Sequence, residues 1–142
     1  MLYVEYEKYL NRFRSTQAKV DEILTEKEAI FLKTQTQGIR YDLEKITGGA
    51  YTNIFESYVI DLEKKKIDER LQEAKSLLEE RKMLLDMKER ELRNSKELYD
   101  KIYRMRYIDN LSPYNIGERI GYSTSQVYRI LDKINKILKN AT

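Results

Sequence analysis

The sequence predicts an all-α protein, and three observations support this. Of the 142 residues, 36% are charged, while only 5 are glycine and 1 is proline. Apolar residues recur at spacings of three and four over most of the chain, which is the period of an amphipathic helix. The C-terminal third carries start and stop signals for several short helices. We therefore expect long helices in residues 1–94, paired as an antiparallel hairpin or across a dimer, and a three-to-four-helix domain in residues 95–142.

The first predicted helix covers Leu2 to Lys33, with Lys27 interrupting its apolar stripe. The stripe consists of Tyr3, Tyr6, Leu10, Phe13, Gln17, Val20, Leu24 and Phe31. Residues 34–53, TQTQGIRYDLEKITGGAYTN, hold three of the chain's five glycines and predict a loop with a short helix around residues 41–46. Gly48 and Gly49 lack the preceding strand and the lysine that a phosphate-binding loop requires.

A second long helix is predicted from Glu56 to Arg93. Three cations interrupt its heptad-like stripe, which disfavours an ideal two-stranded coiled coil and favours packing through a broader face. The stripe contains Ile60, Ile67, Leu71, Ala74, Leu78, Leu85 and Leu92, the interruptions are Lys64, Arg81 and Lys88, and Leu77, Leu84 and Met87 widen it. The expected partner is the first helix, in the same chain or in a second copy.

The C-terminal domain begins with a predicted helix from Ser95 to Asp109, which Asn110 ends. Its apolar stripe is Leu98, Ile102, Met105 and Ile108. This assignment leaves Tyr99, Tyr103, Arg104, Arg106 and Tyr107 on the other faces, where we expect the tyrosines to pack at the domain edge. A preceding helix of this kind is needed because two short helices cannot enclose a core by themselves.

The stretch LSPYNIGERIGYSTSQVYRIL, from Leu111 to Leu131, is typical of a helix-turn-helix. Ser112 and Pro113 suit the N-cap and the first position of a helix. Gly117 permits a close crossing by a second helix, and Gly121 permits the left-handed backbone that ends the first one. Ser123 is the expected cap of the second helix, whose predicted buried stripe is Val127, Ile130, Leu131 and Ile134. The apolar set of the whole motif is Ile116, Ile120, Tyr122, Val127 and Ile130. An ordinary helical hairpin is the alternative interpretation.

The outward positions of the second helix are the candidate DNA-reading residues, because this helix enters the major groove in such domains. They are Thr124, Ser125, Gln126, Tyr128 and Arg129, with Lys101, Arg119, Lys133 and Lys136 as candidate phosphate contacts. The Arg129 guanidinium matches guanine O6 and N7, and the Gln126 amide matches adenine. For Arg129 the alternatives are a phosphate contact or a salt bridge with Asp132 or Glu118.

Charge is unevenly distributed along the chain. From Ser95 onward nine basic residues face five acidic ones, while the first 94 residues are nearly balanced within a total of 27 basic and 24 acidic residues. The positive excess therefore lies in the predicted DNA-binding part, as attraction to phosphates requires.

Several function classes are disfavoured by composition. The chain has no cysteine and no histidine, which removes disulfides, thiolate metal sites and the commonest general base. Acidic residues and lysines are spaced as solvated helix faces, so we expect no enzyme activity, cofactor or small-molecule substrate. No apolar window is long enough to cross a membrane and the N-terminus lacks a signal peptide, so we expect a cytoplasmic, nucleoid-associated protein in a bacterial host.

The stretch from Lys101 to Leu131 resembles region four of sigma-70-type transcription factors. The shared positions are Arg106-Tyr107, Leu111-Ser112, Ile116, Gly121-Tyr122-Ser123 and Val127 to Ile130. Together with the VIDLE sequence at Val59 to Glu63, the whole arrangement resembles phage regulators of the RinA/ArpU type. This resemblance implies a regulator that binds double-stranded DNA and activates phage genes, often late ones. Counterparts of the promoter-melting domains of sigma factors are missing, so it implies recruitment of RNA polymerase, or occupancy of DNA, without unaided initiation.

Two other classes stay open beside the regulator. A small terminase subunit also combines a helix-turn-helix with long oligomerising helices, although its DNA-binding domain typically comes first. A phage or satellite interaction factor would act through the long helices alone. For the regulator we expect a homodimer through Ile60 to Leu92, with a contribution from Tyr3 to Phe31, because specific affinity usually comes from two half-sites.

Overall fold

The computed structural model describes residues 1–47 and 50–141, with side chains for residues 1–33 and 56–141. Within this part the only regular secondary structure is helical, which confirms the predicted all-α class. The helices are α1 (Leu2–Thr47), α2 (Ala50–Asn94), α3 (Leu98–Tyr103), α4 (Pro113–Ile120) and α5 (Thr124–Ala141), and a π-helical segment (Arg104–Ile108) directly follows α3.

Both long helices extend further than the sequence predicts. The backbone of α1 stays helical through residues 34–47, and α2 is already helical at Ala50, so the loop expected over residues 34–53 is wrong there. The short helix expected at residues 41–46 is the last part of α1. An interior glycine such as Gly38 costs only about 1 kcal/mol relative to alanine, which a long helix can absorb. Gly48 and Gly49 lie outside the described residues.

The chain divides into two compact units. One comprises Met1–Phe13 and Glu80–Thr142 and is called the terminal unit below; the other, Arg14–Glu79, is called the hairpin unit. The boundary expected between residues 94 and 95 therefore falls inside the terminal unit. The physical reason is that the start of α1 and the end of α2 contribute side chains to the same core as the short helices.

In the hairpin unit, α1 and α2 run antiparallel. Lys27 Nζ lies 2.9 Å from Asp68 Oδ1, and Arg70 Nη1 lies 3.0 Å from Glu26 Oε2. A step forward along α1 therefore matches a step backward along α2. The buried core contains Val20, Ile23, Ile67 and Leu71, with Ile30, Ala74 and Leu78 packed against it. The two helices thus pair within a single chain, as the antiparallel alternative predicts.

The buried stripe of α1 departs from the prediction after Phe13. Thr16 and Ile23 are buried and Ile30 is half-buried, together with the predicted Val20. The predicted residues Gln17, Leu24 and Phe31 are exposed. Alternating steps of three and four keep the observed set on one line along the helix, and the wrongly predicted residues lie one position beside it.

The stripe of α2 is narrower than predicted. The seam residues Ile60, Ile67, Leu71, Leu85 and Leu92 are buried as expected. The residues predicted to widen it, Leu77, Leu84 and Met87, are 39%, 40% and 56% exposed. A helix that packs on one long neighbour buries a narrow stripe and leaves the flanking positions to solvent.

Three tyrosines form the aromatic part of the terminal unit's core. The Tyr103 ring stacks on Tyr3 with centroids 5.6 Å apart, and Tyr6 meets it edge-on at 6.0 Å. The prediction that Tyr103 lies at a domain edge is wrong, because the first turns of α1 cover that face and leave 1% of the residue exposed. Burial, followed by the Glu7 carboxylate, raises the pKa of Tyr103 well above its ordinary range. The aliphatic part of the core is Leu85, Leu92, Ile102, Ile116, Val127, Leu131 and Ile134.

A buried carboxylate joins the start of α1 to α3. Asp100 is fully buried, and its Oδ1 accepts a hydrogen bond from the Tyr3 backbone N–H at 3.2 Å. Its Oδ2 accepts from the Ser95 hydroxyl at 2.7 Å. The first N–H groups of a helix have no partner within the helix and carry partial positive charge. Asp100 therefore caps α1 from a position far along the chain.

The helix predicted from Ser95 to Asp109 is shorter and divided. Residues Ser95–Glu97 precede α3 without helical structure, and the Ser95 hydroxyl accepts from the Glu97 N–H at 3.3 Å. The expected stripe holds, since Ile102 is buried and its companions are half-buried. Asn110 ends the π-helical segment with φ 55°, as predicted, and the next N–H, of Leu111, donates to the Met105 carbonyl at 2.9 Å.

Candidate nucleic-acid interface

The turn between α4 and α5 forms as the sequence predicts. The Ser112 hydroxyl accepts from the Asn115 N–H at 3.2 Å, and Pro113 occupies the first turn of α4. Gly121 ends α4 in the left-handed conformation, with φ 81° and ψ 28°. The Gly117 carbonyl accepts from the N–H groups of Gly121 at 2.8 Å and Tyr122 at 2.9 Å. Both ends of α4 are therefore fixed by local hydrogen bonds.

Gly117 allows a close approach, but its neighbour differs from the one expected. A Cβ atom at Gly117 would lie 2.5 Å from the Tyr122 carbonyl oxygen. Real side chains do not tolerate that distance, so the turn backbone fills the space and not the second helix. The consequence is that α5 leaves the turn in a direction that depends on a glycine at this position.

The start of α5 carries a reciprocal capping box. The Ser123 hydroxyl accepts from the Gln126 N–H at 3.2 Å, and the Gln126 side-chain Oε1 accepts from the Ser123 N–H at 2.9 Å. A serine followed three residues later by glutamine is the sequence signature of this arrangement, so it was visible in the sequence. The Gln126 side chain therefore also caps α5, and the match of its amide to adenine stays a prediction.

The two faces of α5 have different roles. Val127, Leu131 and Ile134 are buried, and Ile130 is half-buried, as predicted. Tyr122 belongs to the turn and is 38% exposed, so its inclusion in the apolar set is wrong. On the side opposite the core lie Ser125, Arg129, Asp132 and Lys136, which are all exposed and spaced by fours and threes along one face.

The nine predicted DNA-binding residues are all accessible. Ser125, Gln126, Tyr128, Arg129, Lys133, Arg119 and Lys136 are exposed, and Thr124 and Lys101 are half-buried. Those from Thr124 to Lys136 share α5, Arg119 lies in the last turn of α4 and Lys101 lies on α3. The helical surface therefore presents these groups on three helices of one unit.

Arg129 has no ion pair in the described part of the chain, and neither do Lys133 and Lys136. The salt-bridge alternative for Arg129, with Asp132 or Glu118, is thus not realised. A hydrogen bond from the Tyr114 hydroxyl engages Glu118 and raises the pKa of Tyr114. The guanidinium of Arg129 is left to bind an external acceptor.

Residues behind α5 hold it in place, and sequence reasoning missed one of them. The Tyr107 hydroxyl donates to Asn135 Oδ1 on α5 at 3.0 Å, and Arg106 Nη1 donates to the Leu111 carbonyl at 3.2 Å. Of the Arg106-Tyr107 pair, which carries part of the sigma-factor resemblance, Tyr107 therefore contacts α5, and Arg106 binds the loop that precedes α4. A single polar residue such as Asn135 on a charged helix gives no signal of this role in the sequence.

Among residues 1–47 and 50–141, no helix is long and apolar enough to cross a membrane. Residues 1–33 and 56–141, whose side chains the structure describes, contain no cluster of acidic side chains that could hold a metal ion. No protein-family model matches the chain, and comparisons with curated proteins and with solved structures return no match.

Proposed function

We propose that this protein is a sequence-specific DNA-binding transcription regulator, in the manner of the RinA/ArpU-type phage activators that its sequence resembles. The single observation that carries the proposal is the exposed face of α5. On this face, Arg129 has no ion-pair partner in the described chain. The helix itself directly follows a turn that Gly117 and Gly121 fix. Such a placement is what major-groove reading requires of a recognition helix.

Base reading and phosphate binding fall to different residues in this proposal. Arg129 lies in the second turn of α5, so its guanidinium reaches the groove floor and contacts guanine O6 and N7. Lys133 and Lys136 follow on later turns, and Arg119 lies at the end of α4, where the phosphate backbone passes. The positive excess of the C-terminal part favours the same assignment.

Selection of bound sites from random double-stranded DNA tests the proposal. The wild type is compared with Arg129→Ala and with Lys33→Ala, which removes an exposed lysine of α1. The wild type enriches one sequence, Arg129→Ala loses a guanine preference and roughly 5- to 150-fold in affinity, and Lys33→Ala changes neither. Absence of any enriched sequence with the wild type contradicts the proposal.

The same variants separate base reading from phosphate binding at Arg129. If Arg129 contacts only phosphate, its removal weakens binding to all sequences alike and lowers the slope of log affinity against log salt by about 1. Fluorescence anisotropy with the selected site and a scrambled site, at several salt concentrations, measures both quantities.

Homodimerisation through the range Ile60 to Leu92, with a contribution from Tyr3 to Phe31, belongs to the proposal. The seam residues of this range are buried within one chain, so the exposed residues of the same helices are the ones available to a second copy. The selected DNA site tests the dimer, since two half-sites about one helical turn apart indicate a two-fold reader. The proposed activator works in the bacterial cytoplasm by recruiting RNA polymerase. The yield of transcript from a template carrying the site, measured with bacterial RNA polymerase with and without the protein, tests that recruitment.

A further inference from the structure

The part of α2 that belongs to the terminal unit has an exposed stripe, called the outer stripe below. It consists of Glu80, Met83, Met87 and Arg90, which are all exposed, whereas Leu85 on the other side of the helix is buried. Steps of three, four and three residues keep these side chains on one line along the helix. Met83 is 70% exposed and Met87 is 56% exposed, so the line places two large apolar side chains in solvent.

The order of residues along the outer stripe is symmetric, with opposite charges at its two ends. Glu80 and Arg90 lie equally far from the midpoint of the stripe, and so do Met83 and Met87. In an antiparallel pair of such helices, each Glu80 therefore faces Arg90 of the other copy, and the methionines face each other. A parallel pair would place Glu80 against Glu80 and Arg90 against Arg90, and like charges in contact disfavour that arrangement.

Neither charged end of the outer stripe forms an ion pair within the described part of the chain. Leu84, which is 40% exposed, lies beside the stripe near its midpoint, so two copies of Leu84 meet in the antiparallel pair. Methionine and arginine are enriched in protein interfaces, and a two-fold interface requires a surface that is complementary to itself. The outer stripe has both properties.

We infer that the outer stripe is the surface through which two copies of this chain associate, in an antiparallel and two-fold symmetric manner. The inference rests on the homodimer of the proposed function and names the residues and the orientation of its contact. The stripe is only about 15 Å long, so the contact is smaller than the interface of a permanent dimer. Association is therefore reversible, and a DNA site with two half-sites strengthens it by holding two copies together.

Charge reversal tests the pairing of Glu80 with Arg90. Sedimentation equilibrium without DNA, from about 10 µM to about 1 mM protein, compares the wild type with Glu80→Arg, Arg90→Glu and the double variant. Each single variant creates two like-charged pairs in the dimer and should weaken association roughly 10- to 30-fold. The double variant exchanges the charges, restores both pairs and should associate like the wild type.

Lys82→Glu is the matched control for Arg90→Glu, because it changes the net charge equally at an exposed position away from the outer stripe. It should change the association constant by less than about twofold, since salt screens charges that are not in contact.

Cysteine cross-linking tests the orientation, and because the chain has no cysteine each introduced thiol is unique. A mixture of Glu80→Cys and Arg90→Cys should form a mixed disulfide, and the mixed pair keeps one Glu80–Arg90 contact. Neither variant alone should cross-link, because two copies of the same end lie about 15 Å apart along the helix, too far for a disulfide.

Several outcomes would overturn the inference. A protein that stays monomeric over the whole concentration range shows that a second copy does not bind the outer stripe and leaves it to a different protein. A dimer that is insensitive to charge reversal, or Glu80→Cys that cross-links to itself, contradicts the named contact.

These measurements contain no DNA, so their failure is distinct from a failure of the proposed function. If site selection enriches no sequence while the charge-reversal results hold, DNA reading is wrong and the contact stands. If a sequence is enriched but the double variant does not recover association, DNA reading stands and the contact is wrong.

Discussion

The terminal unit and the hairpin unit are built from parts of the same two long helices, yet they bury different side chains. The described core of the hairpin unit is aliphatic and comes from single stripes on α1 and α2. The terminal unit adds the short helices, and its core includes stacked tyrosines together with the fully buried Asp100. A pair of helices encloses one seam, whereas several helices enclose bulky and polar groups on more than one side.

This difference predicts where single substitutions have large effects. The ion pairs of the hairpin unit, such as Lys27 with Asp68, are exposed, and such pairs contribute about 0–1 kcal/mol each. In the terminal unit the polar contacts at Asp100 are buried, and loss of a buried partner costs more. Substitutions in the terminal unit should therefore span a wider range of stability.

The largest effect is expected from Tyr103→Ala, which removes the central ring of the aromatic cluster. Removal of a fully buried aromatic side chain costs about 3–5 kcal/mol, because buried area and ring contacts are lost together. Urea unfolding followed by circular dichroism measures the change. Tyr128→Ala, at a side chain that is 55% exposed, is the control and should change the free energy of unfolding by less than about 0.5 kcal/mol.

A smaller loss is expected from Ile67→Ala in the hairpin unit, about 2–3 kcal/mol, at the lower end for buried aliphatic truncation. The site lies in a narrow seam, so water and neighbouring side chains can move into the cavity that the truncation leaves. Leu77→Ala, at a position 39% exposed, serves as the control. A cost for Ile67→Ala equal to that of Tyr103→Ala would remove the distinction between the two cores.

Gly117→Ala should destabilise the terminal unit by about 1–3 kcal/mol, because the new Cβ overlaps the Tyr122 carbonyl and the turn must shift. Gly121→Ala meets no atom within 4 Å and suffers only from its left-handed backbone, at about 1 kcal/mol. Thermal unfolding of both variants gives the comparison. Equal losses would mean that the close approach at Gly117 does not restrict the turn.

The smallest effect is expected at the exposed pair of Lys88 and Glu5, whose Nζ and Oε2 lie 3.0 Å apart. The hydrogen bond from Lys88 lowers the pKa of the Glu5 carboxyl. The contribution of this pair to the free energy of unfolding is therefore fully present above the pKa of a glutamate in the unfolded chain. It is lost as the pH falls through the lowered pKa of Glu5 in the folded protein.

Carboxyl-carbon NMR titration checks this assignment. Lys88→Met should return the Glu5 pKa toward its ordinary value, whereas Lys82→Met, at an exposed lysine of the same helix, should leave it lowered. A Glu5 pKa that does not respond to Lys88→Met would show that the pair is not maintained in solution.

Local signals in the sequence were enough to predict the α4–turn–α5 region. Ser112, Pro113 and Gly121 each act on the backbone within a few residues, so their effects follow from residue type. The buried face of α5 is likewise set by a regular period. The capping role of Gln126 was also local, and the Ser123-to-Gln126 spacing would have revealed it.

Long-range packing explains the burial of Tyr103, which could not be predicted from the sequence. Tyr103 is adjacent to Ile102 and breaks the predicted stripe, because a second neighbour, the start of α1, covers another face of α3. Nothing near Tyr103 in the sequence indicates that neighbour. The continuation of α1 past Lys33 was hidden by Gly38 and polar residues whose weak preferences do not stop a long helix.

The hydrogen bond between Tyr3 and Asp100 joins residues 97 positions apart, which has a consequence for the order of folding. During synthesis, residues 1–13 leave the ribosome long before Asp100 and the short helices exist to receive them. The rings of Tyr3 and Tyr6 must therefore wait in solvent while α4 and α5, whose contacts are short in sequence, assemble quickly. Residues 1–13 are thus among the last parts to reach their native contacts, and α5 can form before its own unit is complete.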